Sequence, residues 1–161
     1  MKRLLGILLP VLVLLAPTSV AWARGDGWEP LDFPDLEFTG CEGTNFFIDA
    51  TANKGYGRVV TLGGQDVFQI TGTLKETVTN IDTGQSIDLN SSGPGMVSLE
   101  EPRVIGEGNW FFFLFPGQSG ETGLPDLFTT SGHIDFTVDD NGVLQSFELN
   151  GTMTDLCEVL A

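Results

Sequence analysis

Two cysteines, Cys41 and Cys157, stand 116 positions apart in a chain of 161 residues, and no other cysteine occurs. If they pair, their Cα atoms must lie about 4.4–6.8 Å apart. The start and the end of the folded part then have to be neighbours in space. For a chain that runs as a meander of strands, that condition calls for a sheet closed on itself. Whether the bond forms depends on the compartment, because thiols stay reduced in the cytosol and oxidise outside it.

The first 23 residues address that question. Lys2 and Arg3 form a positive n-region, and Leu4 to Ala16 is an apolar run of 13 residues. Ala21-Trp22-Ala23 supplies the small-x-small cleavage pattern, so residues 1–23 read as a secretory signal. The apolar run is too short for a comfortable span and contains Pro10, which argues against an anchor. No cysteine lies near the cleavage point to carry a lipid, and Asp155 to Ala161 offers no apolar tail. The expected product is a secreted chain from Arg24 to Ala161, with residues 24–35 as a flexible N-terminus and 36–161 as one β domain. Export makes a Cys41–Cys157 disulfide the expected state. Closing so long a loop stabilises by about 4–5 kcal/mol through loop-closure entropy.

Charge narrows the partners. The chain carries 22 acidic and 7 basic residues for a net charge of −15. Removing Lys2 and Arg3 without losing any acid makes it −17. A chain this negative repels phosphate backbones and anionic lipid, so neither nucleic acid nor a membrane surface is an expected partner. Disorder is disfavoured because 41% of the residues are hydrophobic.

The pattern along the chain is one of strands. From Val67 to Ile81, the residues Phe68, Ile70, Gly72, Leu74 and Val78 alternate with Gln69, Thr71, Thr73, Lys75, Thr77 and Thr79. That period of two predicts a strand with one buried face. Further strands are expected at Leu36–Gly40, Asn45–Thr51, Arg58–Leu62, Ser86–Leu89, Met96–Leu99, Arg103–Ile105, Trp110–Phe115, His133–Val138 and Leu144–Thr154. In the last, Phe147, Leu149, Gly151 and Met153 are expected to point inward. Glycines fall mostly between apolar runs, as turn formers. No stretch outside the signal repeats with helical period. Of these ten segments Met96–Leu99 and Arg103–Ile105 are the weaker, and a count of eight or nine short-linked strands suits an all-β fold, either an antiparallel up-and-down barrel of about eight strands or a two-sheet sandwich.

Three short motifs stand out: Cys41-Glu-Gly43, Thr79-Asn-Ile-Asp-Thr-Gly84, and Gly151-x-x-x-Asp155-x-Cys157. Together with the signal, they resemble a group of small secreted actinobacterial proteins of unknown function, over nearly the whole mature chain. The resemblance implies a secreted, disulfide-bonded β domain and carries over no catalytic residue.

Each possible chemical site has a plainer reading. Asp82-Thr83-Gly84 has the letters of an aspartic-protease turn, but that chemistry needs two Asp side chains sharing a proton, and a hairpin turn explains the residues. His133, the sole histidine, falls opposite the apolar row of its strand, and no Gly-x-Ser-x-Gly elbow accompanies it. One His and two paired Cys cannot furnish a usual zinc site. Asp139-Asp140-Asn141-Gly142 lacks the spacing and distal Glu of a calcium loop and reads as a turn. Arg24-Gly25-Asp26 spells an integrin-type tripeptide, and Asn90 and Asn150 head glycosylation acceptors.

Trp110-Phe111-Phe112-Phe113-Leu114-Phe115 is the most informative stretch, because six large apolar residues leave no polar face. As a strand it must bury both faces, one in the core and the other against a ligand, the 116–125 loop or a second subunit. Trp110, Phe111, Phe112, Phe113 and Phe115 are therefore the candidate apolar binding or interface residues. The expected function is a secreted, non-enzymatic β-barrel protein that binds a small apolar ligand, a protein partner or a second copy of itself. An inert cell-envelope or surface protein is the alternative. A hydrolase ranks third, because no nucleophile, base and orienter assemble. No cofactor and no metal are expected. N-terminal sequencing of exported protein should begin at Arg24, and a retained Met1 would refute the signal assignment.

Overall fold

The computed structural model describes residues 27–161; the signal segment and Arg24–Asp26 lie outside the described residues. The elements in chain order are β1 (Glu29–Pro30), β2 (Leu36–Gly40), β3 (Thr44–Leu62), β4 (Gln65–Asn80), β5 (Ser86–Ser92), β6 (Gly95–Ser98), β7 (Arg103–Phe113), β8 (Leu127–Val138), β9 (Leu144–Asp155) and the one-turn helix α1 (Leu156–Val159). The protein is all-β, and every strand pairing is antiparallel.

All nine strands belong to a single sheet. β1 and β2 lie end to end along β3, and β5 and β6 lie end to end between β4 and β7. The remaining strands follow as a meander through β8 to β9. Pairing closes only one small ring, through β4, β5, β7 and β6, which does not amount to a barrel. The edge strands β2 and β9 form no ladder with each other among the described residues. They nevertheless meet at one end, where the Cys41–Cys157 disulfide holds Cα atoms 5.4 Å apart. The expected return of the sheet on itself is thus made by a covalent bond and not by backbone hydrogen bonds.

Glycine explains how a sheet of long strands bends that far. Six glycines form a row across it. Gly55 of β3 pairs with Gly72 of β4. The Gly93 N–H donates to the Gly72 carbonyl at 3.3 Å. Gly93 lies against Gly108 of β7, which pairs with Gly132 of β8, which pairs with Gly151 of β9. At Gly72 and Gly132 φ is +119° and +125°, a region side chains avoid. A Cβ on Gly72 would also run into the Lys54 carbonyl oxygen of the adjacent strand. Aligned glycine kinks of this kind let a sheet turn a corner. All but Gly93, which falls between β5 and β6, sit inside strands, which is why the separate segments expected at 45–51 and 58–62 are one strand, β3, and those at 103–105 and 110–115 are largely one strand, β7.

The sheet packs two cores, which lie on opposite faces of β7 and β8, where Phe112 and Phe128 enter one and Phe113 and Leu127 the other. Phe68, Val97, Val104, Phe112, Leu114, Phe128, Ile134, Phe136, Val138 and Leu144 form one. Phe38, Phe46, Ile48, Val78, Phe113, Leu127, Leu156 and Leu160 form the other. Phe68 and Val78 have the same parity on β4, with Gly72 between them, yet they enter different cores. A bulge between Ala50 and Ala52 shifts the register of β3. It lets Phe46 and Ile48 share a face with Gly55 and Gly57 farther along.

The three motifs read from the sequence meet at the disulfide end. The buried Asn80 side chain accepts from the Asp82 and Thr83 N–H groups and donates to the Leu160 carbonyl at 2.6 Å. The Asp82 carboxylate accepts from the Asn45 N–H at 3.2 Å. Asp155 caps α1 by accepting from the Cys157 N–H at 2.8 Å, as an N-cap acid does.

Within the stretch 24–35 expected to be a flexible N-terminus, Glu29 to Asp35 lie along β3. The Leu31 N–H donates to the Gly55 carbonyl at 2.9 Å, and the Asp35 carboxylate accepts from the Ala50 N–H at 3.2 Å. Met153 was expected inward, but it is exposed, because β9 is an edge whose far half lies outside both cores. Gly72→Ala should cost about 2–5 kcal/mol in urea unfolding, from backbone strain plus overpacking. Gly63→Ala, with open space around it and only the positive φ to bear, should cost about 1–2 kcal/mol.

Candidate functional site

A glycine row removes side chains from the inner face of a sheet, and the space left has to be filled from elsewhere. Here it is only partly filled. A cleft of about 130 Å³ opens over Gly55, Gly72 and Gly93. Its walls include Leu31, Phe33, Ile70, Leu74, Val104, Phe136 and the run from Trp110 to Phe113. Leu31 and Phe33 come from the N-terminal strap, which therefore roofs part of the opening.

Of the aromatic residues singled out from the sequence, Trp110, Phe111, Phe112 and Phe113 line this cleft and Phe115 does not, and the strand that carries them is buried on both faces. Phe112 enters the first core, stacked on Phe128 at 4.8 Å and edge-on to Phe136 and Phe147. Phe113 enters the second, edge-on to Phe38 at 5.7 Å and to Phe115 at 6.1 Å. Phe111 packs beside Phe113, and Phe115 lies beyond the end of β7, edge-on to Phe38. The second face is covered mainly by β2, β3, Leu127 and the C-terminal Leu156 and Leu160. Like Phe111 and Phe115, Trp110 is partly buried. Its ring lies over Gly106 and Gly95, where added Cβ atoms would come within 2.6 and 2.5 Å of it. Its Nε1–H donates to the Glu107 carbonyl at 3.2 Å. The indole thus stands on bare backbone and turns its side to the cleft.

A buried carboxyl, outside the residues that the sequence pattern singles out, also borders the cleft. Glu76 occupies an inward position of β4, is 4% exposed and lines the cleft. It is the only ionisable residue in the lining. The Ser91 hydroxyl lies 3.1 and 3.2 Å from its two carboxylate oxygens. Burial pushes the Glu76 carboxyl up from the usual 4.5 to about 7, with the hydrogen bonds from Ser91 opposing the rise. The signal that could have found it is the alternation itself, since Glu76 falls between Leu74 and Val78 on the face assigned to the core.

The other chemical motifs resolve into local structure. Asp82-Thr83-Gly84 is the β4–β5 turn, with Gly84 at φ +76°. Asp139 closes its own turn by accepting from the Asn141 and Val143 N–H groups. His133 is on the surface, with Nδ1 2.6 Å from a Glu107 carboxylate oxygen. The nearby Asp135 is engaged by Arg103, whose hydrogen bond holds its carboxyl below the usual range. Among the described residues, no three His, Cys, Asp or Glu side chains are grouped to hold a metal ion. No helix among them is long and apolar enough to cross a membrane. The disulfide fits an extracellular location.

Comparison with protein-family models, curated proteins and solved structures gives no match. The class is therefore defined by the molecule itself: an all-β, disulfide-closed protein with an apolar cleft and one buried carboxyl.

The buried carboxyl sets a pH dependence. Below about pH 4.5, Glu76 is protonated in folded and unfolded chains alike and costs nothing. Between 4.5 and about 7 the unfolded chain releases the proton first, so stability falls as pH rises. Above 7 the loss is complete, about 3 kcal/mol. Glu76→Gln should therefore be the more stable protein at pH 8 by about that amount and lose its advantage towards pH 4. Paired urea titrations measure it, and a difference that does not change with pH would refute it.

Proposed function

We propose that the chain is a secreted, non-enzymatic β protein whose cleft binds a small apolar ligand. The observation that carries this reading is the cleft over the glycine row, walled by Trp110, Phe111, Phe112 and Phe113 and left open in a protein whose cores are otherwise packed. Small-molecule sites are concave and mostly apolar, with few polar groups, and this lining answers that description. Its volume of about 130 Å³ compares with the roughly 150 Å³ apolar cavity that accepts a benzene-sized guest. The ligand body is thus a single ring or a short branched chain. Export is supported by the signal pattern at residues 1–23, by the disulfide, and by the resemblance to small secreted actinobacterial proteins.

Binding is favoured over hydrolysis because the histidine and the aspartate singled out from the sequence are engaged elsewhere. His133 pairs with Glu107 on the surface, Asp82 serves its turn, and neither lines the cleft. Ethylbenzene added to the oxidised full-length chain should bind saturably, with Kd about 1 mM or tighter, as read by ligand-observed NMR. Trp110→Ala should weaken it about tenfold, a loss of about 1.4 kcal/mol. An absence of saturable binding would remove the proposal.

A further inference from the structure

Resting on that reading, we infer that the cleft selects apolar ligands carrying a protonated amine, with the ammonium on Glu76 and the apolar body against Trp110 to Phe113, and that it turns away apolar carboxylates.

The argument begins with what surrounds the carboxylate. Across the β4 ladders, Glu76 faces Ala50 of β3 and Leu89 of β5. Across the cleft stand Trp110, Phe111, Phe112 and Phe113, and the strap contributes Leu31 and Phe33. None of these groups titrates or carries charge. Ser91 is its hydrogen-bonding neighbour, through both the hydroxyl and the backbone N–H, and two donors do not fill the roughly four acceptor sites of a carboxylate. An ionised Glu76 therefore has acceptor capacity left over and no counter-charge. Buried carboxylates are costly unless paired, and an ammonium entering the cleft would supply both the charge and the donors.

The walls and the wider field point the same way. The apolar walls from Trp110 to Phe113 lower the local dielectric and so strengthen a charge pair formed on Glu76. The chain's net charge of −15 raises the local concentration of cations and lowers that of anions. A ligand carboxylate would meet Glu76 as a second negative charge in the same apolar space, with no basic residue in the lining to offset it. Proton linkage follows, because the amine-binding form is the ionised one. Amine affinity should fall as pH drops below about 7, in proportion to the fraction of Glu76 that remains ionised.

Three probes of matched size separate the possibilities: benzylamine, ethylbenzene and phenylacetate. Each is titrated into the oxidised full-length chain and into Glu76→Gln at pH 8 and pH 5. At pH 8 benzylamine should bind at least about tenfold tighter than ethylbenzene, and phenylacetate at least about tenfold weaker. The amine preference should disappear at pH 5 and in Glu76→Gln. That variant keeps the shape of the side chain, and its binding of ethylbenzene shows that the cleft has folded. If ethylbenzene binds but benzylamine binds no tighter, or if the preference survives Glu76→Gln, the amine assignment is overturned while the apolar cleft stands. If none of the three binds, the cleft as a ligand site falls, and the amine assignment with it.

Discussion

Backbone packed directly against backbone is the contact on which this structure turns. In an ordinary sheet, side chains stand above the pleat and keep neighbouring elements about 10 Å away. Along the row Gly55, Gly72, Gly93, Gly108, Gly132 and Gly151, nothing stands there, and at most of these positions a methyl group would collide with a carbonyl of the next strand. The bend and the cleft are two results of that one deletion of side-chain volume. Glycine in a strand interior is unfavourable by about 0.5–1 kcal/mol relative to alanine. Six in register therefore represent a steady cost, offset by the burial of the phenylalanines on either side.

The aromatic residues answer the glycines. Trp110 lies on Gly95 and Gly106, Phe68 on Gly57, Phe38 on Gly40 and Phe33 on Gly55. A planar ring can rest on bare backbone where a branched side chain would leave gaps, so glycine and phenylalanine enrichment belong to one design. At the cleft that compensation stops short. Ile70 and Leu74 do not fill the space over Gly72, and a carboxyl is placed at its edge, where an apolar residue would be more stable.

How much of this was legible depended on the range of the interaction. The all-β class followed from local alternation, clearest at Phe68 to Val78, and the disulfide from only two thiols and a secretory pattern. The two-sided burial of Trp110 to Phe115 followed from the lack of any polar residue there. Less legible were features that need cross-strand register. Gly72 and Gly108 look like any breaker glycine until their partners Gly55 and Gly132 are known. Glu76 looks like a surface acid beside Lys75 unless the face assigned to Leu74 and Val78 is carried through it without exception. The strap at Leu31 and Phe33 was hidden because Asp32, Pro34 and Asp35 give its sequence the composition of a loose end.

The closure of the sheet has a meaning beyond shape. The two edges are joined by the bond between Cys41 and Cys157, with the Asp126 carboxylate on the Cys41 N–H and Asn80 on the Leu160 carbonyl beside it. No ladder of hydrogen bonds repeats that junction along the seam. The molecule is in effect a cuff with one buckle, and the buckle is a redox bond. Where thiols are kept reduced, those few polar contacts and the packing of Leu156 and Leu160 in the second core hold the ends together. The fully fastened form, with its strap and cleft held in place, thus belongs to oxidising surroundings, and the cuff carries in its own chemistry a mark of where it is meant to be worn.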